Sequence, residues 1–294
     1  MKKIIGLMFV FLLFNSMLLP DYYQENEYLA RSYDDARVVR VKYIEGEAYI
    51  KRSYEEGLEE AIRNLPVFDR DLAGTTDGRL ELYLGQFNYL RLDYDSEIIF
   101  DQAPQLGRTR TTIRINRGGI YLLVNKLDYG RDIEIQTPDC GIFILENGRY
   151  RVNVHTEGGT EMLVYRGLTE ISGETRGIDV GSMSKITMFD GDVYQMPVSI
   201  MKTHQDDFDL WNIERNSLVS RLLKYRSRYL VPGYSNYEYE LSTSGRWVYD
   251  RTFQQHIWIP FNPGVYWKPY YHGRWIHHPY YGYVWTSYDS WGWY

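Results

Sequence analysis

GRLELYLGQFNYLRLDYDSEIIF, Gly78 to Phe100, decides the fold. Leu80, Leu82 and Leu84 alternate with Arg79, Glu81 and Tyr83; Leu90, Leu92 and Tyr94 repeat the pattern, starting five residues after Gly85. Side chains that recur every second residue share one face of a strand. The two runs therefore read as a hairpin whose leucines, with Tyr94, enter a common core, and Gly85–Asn88 is the turn.

The same grammar extends in both directions. Upstream, VVRVKYIEGEAYI gives two strands around Glu45-Gly46. Downstream come TTIRINRGGIYLLV, DIEIQTP, GIFI, GRYRVNVHTEGGTEMLVYRG, LTEISG and RGIDVGSMSKITMF. Short alternating runs with regular turn signals predict an all-β sandwich or roll of antiparallel strands over residues 37–195. One segment breaks the pattern. Tyr54–Phe68 carries Leu58, Ile62 and Leu65 at helical spacing, and Pro66 stops it, so a loop with at most a turn or two of helix is expected.

After Met201 the period changes. Phe208, Trp211, Leu218, Leu222, Tyr225 and Tyr229 form a stripe near 3.6 residues. Aspartates precede it and Arg221, Lys224, Arg226 and Arg228 close it, an order that complements the helix dipole. One amphipathic helix over 204–229 is expected, ended by Pro232-Gly233 and packed on a neighbouring domain.

The tail, 230–294, repeats itself. Gly245 to Tyr294 holds seven of the eight tryptophans, four of the six histidines and six charged residues. GRWVYDRTFQQHIWIP (Gly245–Pro260) returns as GRWIHHPYYGYVWTS (Gly273–Ser287), a repeat that predicts a meander of short aromatic hairpins. A further unit opening at Trp293 reads as cut short. With few aliphatic residues, the rings must supply most of the buried area. Trp247 and Trp275, which share a place in the repeat, are expected to be buried. Trp267 and Trp291, which lie among turn residues, are the candidates for an exposed binding platform, with Tyr270 and Tyr281.

Composition narrows the function. A net charge of −6 argues against nucleic acid as a partner, because phosphate neutralisation needs a basic face. Lys2 and Lys3 before the apolar run Ile4–Phe14 read as a secretory signal over residues 1–20, followed by a polar linker, 21–36. The run is too short for an ordinary span of about 20 residues, and a membrane association follows only if it stays uncleaved. Export from the cytoplasm is the expectation. Cys140 is the sole cysteine, so an internal disulfide is excluded, and its alternating context predicts a half-buried thiol.

The run from Arg37 to Gln195 resembles the FecR-like domain family. The residues that carry the resemblance are GRLELYL at 78–84, LRLDY at 90–94, RGGIYLLV at 117–124, IQTP at 135–138, GRYRVNV at 148–154 and MLVYRGLTEI at 162–171. FDLW at 208–211, YLVPGY at 229–234 and the GRW repeats resemble an aromatic tail that follows such domains in exported bacterial proteins. The resemblance implies an envelope regulator that relays a signal from an outer-membrane receptor to a cytoplasmic sigma factor. Three residues precede the apolar run, so a sensor or scaffold without a sigma-binding segment is expected.

No sequence pattern for catalysis accompanies these runs: no carboxylate couple, phosphate loop, G-x-S-x-G elbow or H-E-x-x-H. His256, His272, His277 and His278 occupy repeat positions that tyrosine also fills, and neither metal nor cofactor is expected. The reading is a non-enzymatic envelope protein whose partner is an envelope protein; the alternative is a module binding cell-wall glycan through the tail aromatics.

Overall fold

The computed structural model describes residues 38–104, 110–128, 132–173, 176–192, 196–200, 205–224, 229–230, 237–278 and 282–292. The expected signal and linker, residues 1–36, lie outside them.

The decisive hairpin is present. β1 (Val39–Lys51) pairs along its length with β4 (Leu72–Gly85), and two short strands, β2 (Leu58–Glu60) and β3 (Pro66–Val67), pair with β1. β4 turns through Gln86 and Phe87, both at positive φ, into β5 (Asn88–Leu92). Leu80, Leu82, Leu90 and Leu92 are fully buried. Tyr94 is not in that core: β5 ends at Leu92, the chain turns, and the Tyr94 ring lies exposed beneath the Arg79 guanidinium, 4.6 Å away.

Two further expectations are corrected upstream. Glu45-Gly46 is no hairpin turn. β1 runs straight through it, and the extra residue lies on β4, where Thr76 and Asp77 face Glu47 in a bulge. Gly46 has φ +68°, and a Cβ there would lie 2.2 Å from the Asp77 carbonyl oxygen, so only glycine permits this approach. Tyr54–Phe68 forms β2 and β3 instead of a helical turn, because Leu65 and Val67 enter the core while Leu58 stays in solvent.

β6 (Glu97–Gln102) follows and pairs with β4 and with β7 (Thr111–Val124). β7 is the spine. Its first half lies between β6 and β8 (Ile133–Gln136), its second half between β5 and β10 (Gly148–Val154). The β7–β8 pair is parallel, and the other pairs among the described strands are antiparallel. β9 (Gly141–Ile144) joins β8. β10 pairs with β11 (Thr160–Arg166), and β12 (Leu168–Ser172) pairs with β9 and β13 (Gly177–Gly181). β14 (Ser184–Met188) and β15 (Val198–Ser199) complete the order β13-β12-β9-β8-β7-β10-β11-β14-β15. β13 and β14 are consecutive in the chain yet sit near opposite ends of that order, so the sheet curls into a roll around aliphatic side chains such as Ile98, Ile113, Ile135, Ile142 and Val164.

Helix α1 (Asp207–Lys224) is shorter than the expected 204–229. Asp206 caps it by accepting the Asp209 N–H at 2.9 Å. Its buried stripe is Phe208, Trp211, Asn212 and Val219; Leu218 and Leu222 are only half-buried, Tyr229 lies beyond the helix, and Tyr225 is outside the described residues. A second helix, α2 (Glu238–Ser244), was not signalled by the sequence. It leads into the hairpins β16–β17 (Gly245–Asp250, Gln255–Pro260) and β18–β19 (Gly273–His278, Gly282–Ser287), as the GRW repeat predicts. No helix among the described residues is long and apolar enough to cross a membrane.

Candidate functional site

Alternation along the strands gives the sheet two different faces. One is the aliphatic core. The other carries Tyr43, Glu81, Tyr83, Tyr89, Arg91, Tyr121, Arg151 and Tyr165, and α1 lies on it. Such a face needs hydrogen-bonding partners once covered, because a buried polar group without one is costly.

Helix α1 supplies them. Glu81 accepts Arg91 Nε at 2.7 Å and Arg215 Nη2 at 2.6 Å, and Arg91 Nη1 donates to Asn212 and Asn216 at 3.0 and 2.7 Å. Burial pushes the Glu81 carboxyl up, but the facing Arg91 and Arg215 guanidiniums outweigh it and hold the group below the usual carboxylate range. Arg91 also lies over the Tyr89 and Tyr121 rings, and Arg215 lies 4.0 Å above Tyr43.

A second cluster holds the helix start. Arg151 pairs with Asp206 at 2.7 Å and Asp209 at 3.1 Å, and Tyr165 donates its hydroxyl to Asp209. Burial and that bond to a carboxylate push the Tyr165 phenol well up. Trp211 Nε1 donates to Glu45 at 3.0 Å. These polar partners left no periodic signal in the sequence. The acid-first order of the helix was the only hint.

The tail hairpins share one construction. Trp247 faces Trp258 and Tyr249 faces His256 in the first; Trp275 faces Trp285 and His277 faces Tyr283 in the second. The glycine of each GRW lies under the indole of the opposite strand. A Cβ on Gly245 would be 2.3 Å from Trp258, and one on Gly273 would be 2.6 Å from Trp285. The motif is therefore a packing rule of the hairpin.

The second hairpin docks on the β1–β3 edge. Ile276 joins the main core, and the His278 ring lies 4.2 Å from Phe68. Asn64 Nδ2 donates to the Ser287 and Asp289 carbonyls at 3.1 and 2.7 Å, and Arg274 pairs with Glu59. Alternation then turns Trp275, His277 and Tyr283 outward. Trp275 is 62 % exposed, against the expectation that it is buried. Trp291 is 7 % exposed, enclosed by Trp258, Trp267 and Tyr270 at 4.9, 5.8 and 5.7 Å, so it has no open face to offer a ligand. Of the other platform candidates, Trp267 is half-buried in this cluster, Tyr270 keeps an exposed side, and Tyr281 is outside the described residues.

Cys140 is buried, and burial pushes its thiol up to about 11. Among the described residues no group of three His, Cys, Asp or Glu side chains is placed to hold a metal ion.

Residues 70–170 match the FecR protein family. The FecR match runs from just before β4 into β12, so α1, which closes the polar face of the FecR strands, is supplied by chain beyond it. Residues 238–294, from α2 through both hairpins, match a family of unknown function, DUF6600. Two crystal structures of an anti-sigma factor candidate from Parabacteroides distasonis ATCC 8503 are similar to the chain. One is 9 % identical, covering 43 % of this chain and 58 % of its own, with a TM-score of 0.37. The other is 8 % identical, covering 64 % and 98 %, with a TM-score of 0.40. The chain thus spans little more than half the length of the first, and neither likeness bears on function. A comparison with curated proteins finds no match.

Proposed function

We propose that the chain is an exported, non-enzymatic envelope protein whose FecR domain serves as a sensor or scaffold for another envelope protein. The FecR match carries the reading. Buried charges agree with it: Glu81, Asp71 and Asp209 are all engaged with arginines or tyrosine, as structural carboxylates are, and the Cys140 thiol stays protonated at neutral pH. Residues 37–195 are proposed as one folding unit, with α1 and the tail added to it. A reporter fused after Ala36 should be active only outside the cytoplasm. Cross-linking in intact envelopes through residues of the FecR domain should then give one saturable protein adduct. Cytoplasmic reporter activity, or adducts with glycan alone, would count against the proposal.

A second reading, a module that binds neutral cell-wall glycan, is favoured by the outward Trp275 and Tyr283 on adjacent strands. Exposed rings side by side give sugar faces a stacking surface. Pull-down on purified envelope glycan with Trp275→Ala separates it from the first.

A further inference from the structure

Four arginines gathered around α1 are neutralised: Arg79 by Asp93, Arg91 and Arg215 by Glu81, and Arg151 by Asp206 and Asp209. Two more are not. Arg149 of β10 and Arg166 of β11 are direct cross-strand partners, and among the described residues neither guanidinium has a hydrogen-bond or ion-pair partner. Like charges placed opposite each other on a sheet repel. The pair sits at a register shift, where Tyr165 is the extra residue on β11 and turns under α1 to bond Asp209.

Both arginines line a cleft of about 410 Å³ between the sheet and the C-terminal half of α1. Among the described residues its walls hold no carboxylate. Leu123, Val124 and Val219 give an apolar side. Asn147 accepts the Leu127 N–H at Oδ1, and among the described residues its amide NH₂ has no acceptor. In a chain of net charge −6, a cleft lined by two unpaired guanidiniums and no acid is a local inversion. A larger cleft of about 740 Å³ near the helix start lacks this character, because its Arg151 and Lys185 are already paired with Asp206 and Glu161.

We propose that the Arg149–Arg166 cleft binds an oxyanion, phosphate or carboxylate, carried on a body the size of a single sugar. Guanidinium forks bind both oxyanions in bidentate fashion. The volume falls in the range of small-molecule sites, about 300–1,000 Å³, and exceeds what a bare ion fills. The anion would neutralise the two facing charges, and the apolar wall would take the ring. The site goes beyond the sensor reading and does not depend on it.

The test is calorimetric titration of the full chain with glucose 6-phosphate, glucuronate and glucose, in parallel with R149Q, R166Q and the double variant. Saturable binding of at least one charged sugar is expected, with none of glucose, and the stronger of the two identifies the anion. Each single substitution should weaken binding by about tenfold or more, a loss on the scale of a charge-assisted hydrogen bond. Melting temperatures of the variants should equal or exceed the parent's, because removing one charge relieves the repulsion. Absence of saturable binding by both charged sugars, or parental affinity in the double variant, would overturn the site. So would a lower melting temperature in R149Q and R166Q, which would make the pair a structural one.

Discussion

Arg215 of α1 grips the Glu81 carboxylate with two donors, Nη2 to Oε1 at 2.6 Å and Nε to Oε2 at 3.2 Å, from 134 residues further along the chain. Arg91 bonds the same carboxylate from the neighbouring strand. The acid thus joins β4, β5 and α1, and it does so in a place closed to water. Removing one member of a buried ion network leaves the others charged and unpaired, which costs about 3–5 kcal/mol.

Glu81→Gln should therefore destabilise the protein by that amount in urea unfolding; a loss below about 1 kcal/mol would mean the network is wetter than the geometry indicates. The pH profile gives a second readout. The folded Glu81 carboxyl lies below its ordinary value of 4.5, so the unfolded chain takes up the proton first. Its stabilisation is complete above pH 4.5 and is lost as the pH falls through the folded value. Glu81→Gln should lack that part of the acid limb.

The hairpins support an opposite pair of outcomes for two tryptophans. Trp291 is enclosed by three aromatic rings, so Trp291→Ala should cost about 3–5 kcal/mol and expose the tail to protease. Trp275 touches Trp285 at 5.3 Å and otherwise faces solvent. Trp275→Ala should cost about 1 kcal/mol or less, the scale of a single aromatic pair. Thermal melts of the two variants decide it, and equal losses would contradict the placement.

The glycine of the GRW repeat should be as restrictive as its contacts indicate. A Cβ on Gly273 meets the Trp285 indole and, at 2.4 Å, the Thr286 carbonyl oxygen. The carbonyl is backbone and cannot swing aside. Gly273→Ala should destabilise the tail by about 1–3 kcal/mol, as overpacking does, read as faster proteolytic cleavage between residues 245 and 292. Unchanged cleavage would show that the hairpin yields without cost.

What the sequence disclosed follows from period. Leu80, Leu82, Leu90 and Leu92 announce their face because a strand repeats every two residues, and the GRW repeat announces two hairpins in which tryptophan meets tryptophan. The rest depends on contacts without a period. Glu81, Arg91 and Arg215 lie far apart in the chain, and each alone reads as a solvated charge. The outward turn of Trp275 is set by where Ile276 and His278 dock, a surface made by Phe68 and Tyr54 more than two hundred residues earlier. Trp291 lies in no strand, so no alternation could tell that neighbouring rings close over it. The cross-strand Arg149 and Arg166 are similarly silent until register places them opposite each other.

His278 makes the docking of the second hairpin sensitive to pH. Its ring is buried against Phe68, with Tyr54 edge-on at 6.1 Å. Burial lowers its affinity for a proton below the ordinary value of 6.5; Asp71 and Asp69 oppose this, and Arg52 and His277 add to it. The folded value is thus lower than the unfolded one, and the unfolded chain binds the proton first. The contribution of His278 to stability is complete above pH 6.5, declines as the pH falls toward the folded value, and then levels off. Melting temperature and protease resistance of the tail should hold above pH 6.5 and fall together as the pH drops below it, on the acid side of the window in which histidine titrates. His278→Gln should flatten that dependence, while His277→Gln, on the exposed face, should preserve it. Parallel pH profiles for the parent and His278→Gln would show that the ring is not the group being titrated.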